Sequence, residues 1–350
     1  MLHLLQRASG GSGRAERPWR VGERVRIAVL GAGAVGGFLA AHLARAGREV
    51  SVIARGPQLD AIRSGGLTLE LPHETFEVAL EASGDPAAIG PVDLVLVTAK
   101  TTANAAIAHA MAPLLHDGTA VVFAQNGVFW WYGEGFDPGV PIDAARLDPG
   151  GRIAAALGPA RALGLVIYSP NEVVAPGRIR CTVSDSHFHL GGPRAAAGRL
   201  GRVAALLGDA GFRLELACDI RAAMWRKLLL NLCTSPLATL TRATEAELVA
   251  HPGMIEVGRG MVRDGLAVAA AHGFTGLGID PEELVAAGLR TPHRPSMLQD
   301  LERGRPLEID ALLAIVQDFA RAADVATPTI DTVLPLLTLL ARERGLYPAG

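Results

Sequence analysis

The chain is poor in the features that mark extracellular, metal-bound and nucleic-acid-binding proteins. Its three cysteines, Cys181, Cys218 and Cys233, are widely scattered and form no CxxC pair. That pattern argues against a disulfide framework and against a structural zinc site. No N-x-S/T acceptor occurs, so nothing points away from a reducing cytoplasm, the expected location. Net charge is −2, which gives no general basic surface and no expectation of a nucleic-acid partner. The G-x-S-x-G elbow of serine hydrolases and the H-E-x-x-H helix of zinc proteases are both missing. His187 and His189 share one face of a predicted strand in "SHFHL". Two imidazoles without a third and fourth ligand make a poor metal site, so they are read as ordinary strand residues and no metal is expected.

Long apolar runs are scarce as well. The one candidate for a membrane span is "IAVLGAGAVGGFLAAHLA", in which five residues are glycine or histidine. A strand, a turn and a helix explain it better than a span does, and no membrane partner is expected. The opening stretch, residues 1–24, is rich in Gly, Arg and Ser and lacks the apolar middle of a secretory signal. It reads as a disordered extension.

What is present is enough for a large core: 350 residues, 49% of them hydrophobic, or about two domains by length. From Val25 to about Gly127, strand-like runs alternate with helical patterns. "RVRIAVL", "EVSVIAR", "DLVLVTAK" and "TAVVFAQNG" read as strands buried on both faces, separated by "VGGFLAAHLARAG", "PQLDAIRSGG" and "TTANAAIAHAMAPLL". Such alternation predicts a parallel sheet with crossover helices. A Gly- and Pro-rich loop follows, over about 129–151. Strands resume in "ARALGLVIYS" and "GRIRCTVSDSHFHLGG", then a helix at 194–208 and the strand "FRLELA". Beyond Asp219 the pattern is helical, with helices predicted at 220–235, 245–272, 281–289, 305–323 and 329–343. The expected fold is α/β, a Rossmann-type dinucleotide-binding domain over 25–218 joined to an all-α domain over 219–350, with the boundary near Cys218.

The turn Gly31-Ala32-Gly33-Ala34-Val35-Gly36 has G-x-G-x-x-G spacing between an apolar strand and an amphipathic helix. Gly31 allows the tight turn, Gly33 the close approach of a pyrophosphate, and Gly36 the packing of helix on strand. The second strand ends in Arg55, where NAD-preferring sites usually carry an acidic residue. An arginine there can pair with a 2′-phosphate, which favours NADPH; the alternative is a solvated surface arginine.

"MWRKLLLNLCTSPLATL", residues 224–240, carries Lys227 and Asn231 on one face of an apolar helix, with Ser235 one turn on. Pro236 is expected to kink or end that helix. An unpaired buried ammonium is costly, so a charged Lys227 needs a partner or a wet cleft. Snorkelling to the surface is the alternative. Glu308, in "PLEID", is a carboxylate that could hold Lys227 protonated, or a charge favoured by a helix N-terminus. Ser296 opens the segment before it.

Together "GAGAVGG", "VTAKT", "QNGV", "WRKLLLNLCTSPLATL" and "SMLQDLERGRPLEID", in this order, resemble the 2-dehydropantoate 2-reductase (ketopantoate reductase) family from Arg26 to about Leu340. The resemblance implies NADPH-dependent reduction of 2-dehydropantoate to (R)-pantoate, on the route to pantothenate and coenzyme A. It implies an active site in the cleft between the two domains. It implies Lys227 as general acid and Glu308 near the lysine and the cofactor. Asn126, Asn231 and Ser296 then match substrate-contacting positions, Asn126 at the nicotinamide end, and Lys100 flanks the cofactor. Two features depart from the family pattern. Ser235 stands where the family usually has a second asparagine, and Phe129, Trp130, Trp131 and Tyr132 introduce an aromatic loop after Asn126. Those aromatics either line the cleft or pack the loop. Both departures leave open a related reductase of another branched or aromatic 2-keto acid, and a non-catalytic dinucleotide sensor is the more distant alternative. A homodimer is also left open.

Overall fold

The computed structural model describes Trp19, residues 24–217, 219–288 and 292–348. The predicted disordered extension and Cys218 therefore lie outside the described residues. Trp19 and Arg24 are the exceptions: Trp19 sits beneath the Arg202 guanidinium, and Arg24 pairs with Glu49.

Among the described residues twelve strands are arranged in two sheets. β1 (Arg26–Leu30), β2 (Glu49–Ile53), β3 (Leu67–Glu70), β4 (Thr75–Val78), β5 (Glu81–Ser83) and β6 (Leu94–Val97) come first, with α1 (Ala34–Arg45) and α2 (Gly56–Gly65) between them. After α3 (Asn104–Ala110) come β7 (Ala120–Phe123), α4 (Arg152–Leu157) and β8 (Ala162–Tyr168). β9 (Asn171–Ala175), β10 (Arg178–Cys181), β11 (His187–Gly191), α5 (Ala197–Asp209) and β12 (Arg213–Leu216) complete this half. The large sheet has the order β12-β11-β8-β7-β6-β1-β2-β5, parallel throughout except where β8 meets β11. Its central strands are apolar on both faces because helices cover both.

A second sheet, β4-β3-β10-β9, was not foreseen. "GRIRCTVSDSHFHLGG" divides between the two sheets: Arg178–Cys181 pairs in parallel with β3, and His187–Gly191 joins β8. The small sheet packs on α1, and this explains Gly37. A Cβ at that position would sit 2.5 Å from the Ile179 side chain.

The helical half holds α6 (Ile220–Thr241), α7 (Glu245–Val249), α8 (Pro252–Ala271), α9 (Pro281–Gly288), α10 (Ser296–Glu302), α11 (Ile315–Ala322) and α12 (Pro328–Glu343). Three expectations are corrected. Pro236 does not end α6, which continues to Thr241. The residues around it are buried, and the Thr239 hydroxyl donates to the Ser235 carbonyl at 2.7 Å. Packing thus offsets a proline cost of about 3 kcal/mol. The helix expected over 245–272 breaks at His251, because Pro252 opens a new helix. The one expected from 305 begins only after Glu308, with a π-helical turn over Asp310–Ala314 leading into α11. Residues 305–308, Pro306 among them, belong to no helix or strand.

The aromatic loop packs and does not line the cleft. Phe129, Trp130, Trp131 and Tyr132 are all buried. Trp225 of α6 donates to the Tyr132 hydroxyl at 2.9 Å, and that oxygen lies 2.9 Å from His272 Nδ1. Arg221, itself buried, donates to the carbonyls of Tyr132 at 2.7 Å and Glu134 at 2.8 Å. The loop is thereby fastened to the helix that carries Lys227. Burial pushes the His272 pKa from 6.5 to about 4, so the imidazole is neutral in the fold. An unfolded chain takes up that proton near pH 6.5, so this contribution to stability is full above that pH and is lost as pH falls towards about 4. His272→Asn should therefore show a smaller drop in melting temperature between pH 7 and pH 5 than the wild type, measured by thermal unfolding.

Candidate active site

The parallel strands bring the sequence-predicted residues to one edge. Leu30 is paired with Ile53 and with Val97, and Val97 with Phe123, so four C-terminal strand ends lie side by side. The glycine turn follows the first, Arg55 the second, Lys100 the third and Asn126 the fourth. This is the edge at which open α/β sheets bind ligands.

Each glycine of the turn has its own reason. Gly31 has φ +106°, and a Cβ there would come within 2.9 Å of the Ala99 nitrogen. A Cβ at Gly36 would sit 1.9 Å from the Gly31 oxygen. At Gly33 nothing lies within 4 Å, so the backbone is open to an approaching group. Gly33 caps α1 without a side-chain hydrogen bond, and the first turn holds no acidic residue. Ala34 and Val35 are half-buried there, and the N–H groups of the helix's first turn suit an anion. A cradle of this shape fits a dinucleotide pyrophosphate. Arg55, exposed at the N-cap of α2, makes no hydrogen bond or ion pair among the described residues.

Lys227 lies across from the QNG turn. A crevice is lined by Asn126 and Gly127, by Val166 and Ile167 of β8, and by Met224 and Lys227 of α6. Burial pulls the Lys227 pKa from 10.5 to about 8, and the field of Glu245 opposes that fall. Asn231, one turn on, has a buried Nδ2 with no hydrogen-bond partner among the described residues. Ser235 is buried one turn further, and Ser296 is exposed at the first residue of α10.

Glu308 is not the counter-ion of Lys227. Its carboxylate accepts from the Thr101 backbone N–H at 2.8 Å and the Thr101 hydroxyl at 3.0 Å. Burial raises its pKa, opposed by the Thr101 bonds and by Lys100. Lys100 pairs with Asp300 and donates to the Pro306 carbonyl at 2.9 Å. These contacts tie the loop after β6 to the segment between α10 and α11. Sequence reasoning missed Asp300, although it stands one turn after Ser296 on the same helix. It also missed Glu245, Thr101 and Tyr168. One overlooked signal was composition. Of the 33 basic residues only Lys100 and Lys227 are lysines, and both stand at this cleft. Arginine cannot replace them where a proton must be released, because its pKa is too high.

Two family models match the chain in part: "Ketopantoate reductase PanE/ApbA" over residues 27–129 and "Ketopantoate reductase PanE/ApbA C terminal" over 219–341. A 2-dehydropantoate 2-reductase of Mesorhizobium japonicum is 42% identical over 329 residues, covering 92% of this chain and 100% of that protein. The crystal structure of 2-dehydropantoate 2-reductase from Geobacter metallireducens superposes with a TM-score of 0.78 at 28% identity, over 89% of this chain and 99% of that one. A D-mandelate dehydrogenase crystallised with NADH and anilino(oxo)acetate shares the fold at a TM-score of 0.77 and 20% identity, over 92% of this chain and 99% of its own. With its glycine turn, its lysine helix and both family models in their expected order, the chain belongs to the ketopantoate reductase family.

Proposed function

We propose that this protein reduces 2-dehydropantoate to (R)-pantoate with NADPH, Lys227 serving as general acid. One observation carries the reading: a half-buried ammonium with a pKa near 8 stands in a crevice with Asn126, at the sheet edge that holds the glycine turn. General acids work best when their pKa lies near the working pH. The relatives named as 2-dehydropantoate 2-reductases support the substrate, and the unpartnered Arg55 supports a 2′-phosphate. A cytoplasmic enzyme of pantothenate and coenzyme A synthesis completes the proposal.

Gly31, Gly33, Gly36 and the N-terminus of α1 would hold the pyrophosphate, with Arg55, Lys100 and Glu308 along the rest of the cofactor. A reduced nicotinamide, when bound, supplies hydride to the keto carbon. The carbonyl π pair then moves to oxygen, and Lys227 gives its Nζ proton to that oxygen, leaving a neutral amine that recovers a proton from solvent. The amides of Asn126 and Asn231, with Ser235 and Ser296, are suited to hold the carboxylate and hydroxyl of the substrate. The free Nδ2 of Asn231 is a buried donor in want of an acceptor. With Phe129–Tyr132 packed away from the crevice, an aromatic 2-keto acid loses the feature that suggested it.

Two outcomes follow for NADPH oxidation in the presence of 2-dehydropantoate. Lys227→Ala should lower kcat by about 10²–10⁴-fold while NADPH still binds. Because Lys227 must carry its proton, wild-type kcat/KM should fall as pH rises through about 8. A variant with near-wild-type kcat, or no turnover by the wild type on any 2-keto acid, would remove the assignment. Arg55→Ala should weaken NADPH binding about tenfold or more and leave NADH nearly unchanged, measured as Kd. Gly33→Ala, sterically free in the fold, should melt like the wild type yet bind NADPH less well, whereas Gly36→Ala should lose thermal stability outright.

A further inference from the structure

Among the described residues Lys227 has no counter-ion at contact distance. Among the described residues it makes neither a hydrogen bond nor an ion pair, and Glu245 acts on it only through space. What it does meet is a ring: its Nζ lies 4.8 Å from the centroid of Tyr168. Tyr168 is the last residue of β8 and stands opposite His187 in the antiparallel pairing with β11. The two rings stack at 4.6 Å with planes 6° apart. His189, on the same strand face, meets Tyr168 edge-on at 5.6 Å and is itself 3.3 Å from Glu215. The tyrosine ring is thus held by the sheet.

We infer that Tyr168 is a positioning residue for Lys227, its π face standing in place of a counter-ion for the ammonium. The choice has a chemical reason. An aromatic face attracts a cation and not a neutral amine, so it favours the protonated lysine. A carboxylate at contact would do so more strongly and would make the lysine a reluctant proton donor. The weaker partner holds the ammonium in place and leaves its proton available. Other charges face this pair. Glu245 on α7 acts on the lysine, and His293 before α10 has its own pKa lowered by burial and by Lys227. Arg226 on α6 and Glu215 on β12 act on Tyr168.

The kinetic arm of the test rests on the reductase reading; the labelling arm does not. Lys227 can be titrated without turnover by limiting acetic anhydride across a pH series, with acetylation of its peptide followed by mass spectrometry. Lys100, the other lysine, serves as the in-sample reference. In Tyr168→Leu the midpoint for Lys227 should fall by about 0.4–1.5 pH units, and Tyr168→Phe, which keeps the ring, should titrate as the wild type does. Should the leucine variant fail to fold, Tyr168→Met takes its place. With NADPH and 2-dehydropantoate, the alkaline limb of kcat should move down by the same amount in the leucine variant and stay in place in the phenylalanine variant. A wild-type midpoint in Tyr168→Leu overturns the inference, and so does an equal shift in Tyr168→Phe. The expected split in labelling, joined to a wild type that does not reduce 2-dehydropantoate, supports the lysine–tyrosine pairing and defeats the reductase reading alone.

Discussion

An ammonium group on a leucine-rich helix loses hydration, and the cost sets the terms for everything around it. Complete burial would neutralise Lys227, while full exposure would leave it an ordinary amine with a pKa near 10.5. The structure sits between these limits, at about 8, and can do so only if α6 is held at one depth. Trp225, Leu228 and Leu229 are buried on both sides of the lysine. Arg221 and Trp225 fasten the same helix to the loop after Asn126. The aromatic insertion therefore braces from behind the helix that carries Lys227.

A second constraint is the seam between the halves. The Val128 N–H donates to the Ala311 carbonyl at 2.9 Å, and Gly127 has φ +90° with no room for a Cβ, which would fall 2.4 Å from that carbonyl. The turn that presents Asn126 is thus locked onto the π-helical segment of the helical half. Nearby, Glu308 accepts from Thr101, Lys100 pairs with Asp300, and Arg146 pairs with Asp318 and Asp310. These cross-links join the two halves at several points.

The division of labour among the charged groups follows from depth and partners. Glu308 and Asp300 both have raised pKa values because of burial, and both face Lys100. Lys227 faces an aromatic ring and a more distant carboxylate. One lysine is thereby tied into the contacts between the two halves, while the other makes neither a hydrogen bond nor an ion pair among the described residues. Arginine supplies the remaining 31 basic side chains.

Much of this was legible in the chain itself. The alternating pattern to Gly127, the glycine turn and the shared face of Lys227 and Asn231 are local properties, dictated by periodicity and by backbone space, and they hold in the folded protein. Where prolines met tertiary packing the local rules divided: Pro252 and Pro306 act as breakers, and Pro236 is carried inside α6 by the burial around it. What the sequence could not decide was which distant residues meet. The small sheet joins strands about a hundred residues apart, Glu308 turns to Thr101, and Tyr168 takes the place beside Lys227. Those pairings depend on strand register and helix depth across the whole core, and no local pattern of hydrophobic and polar residues encodes either.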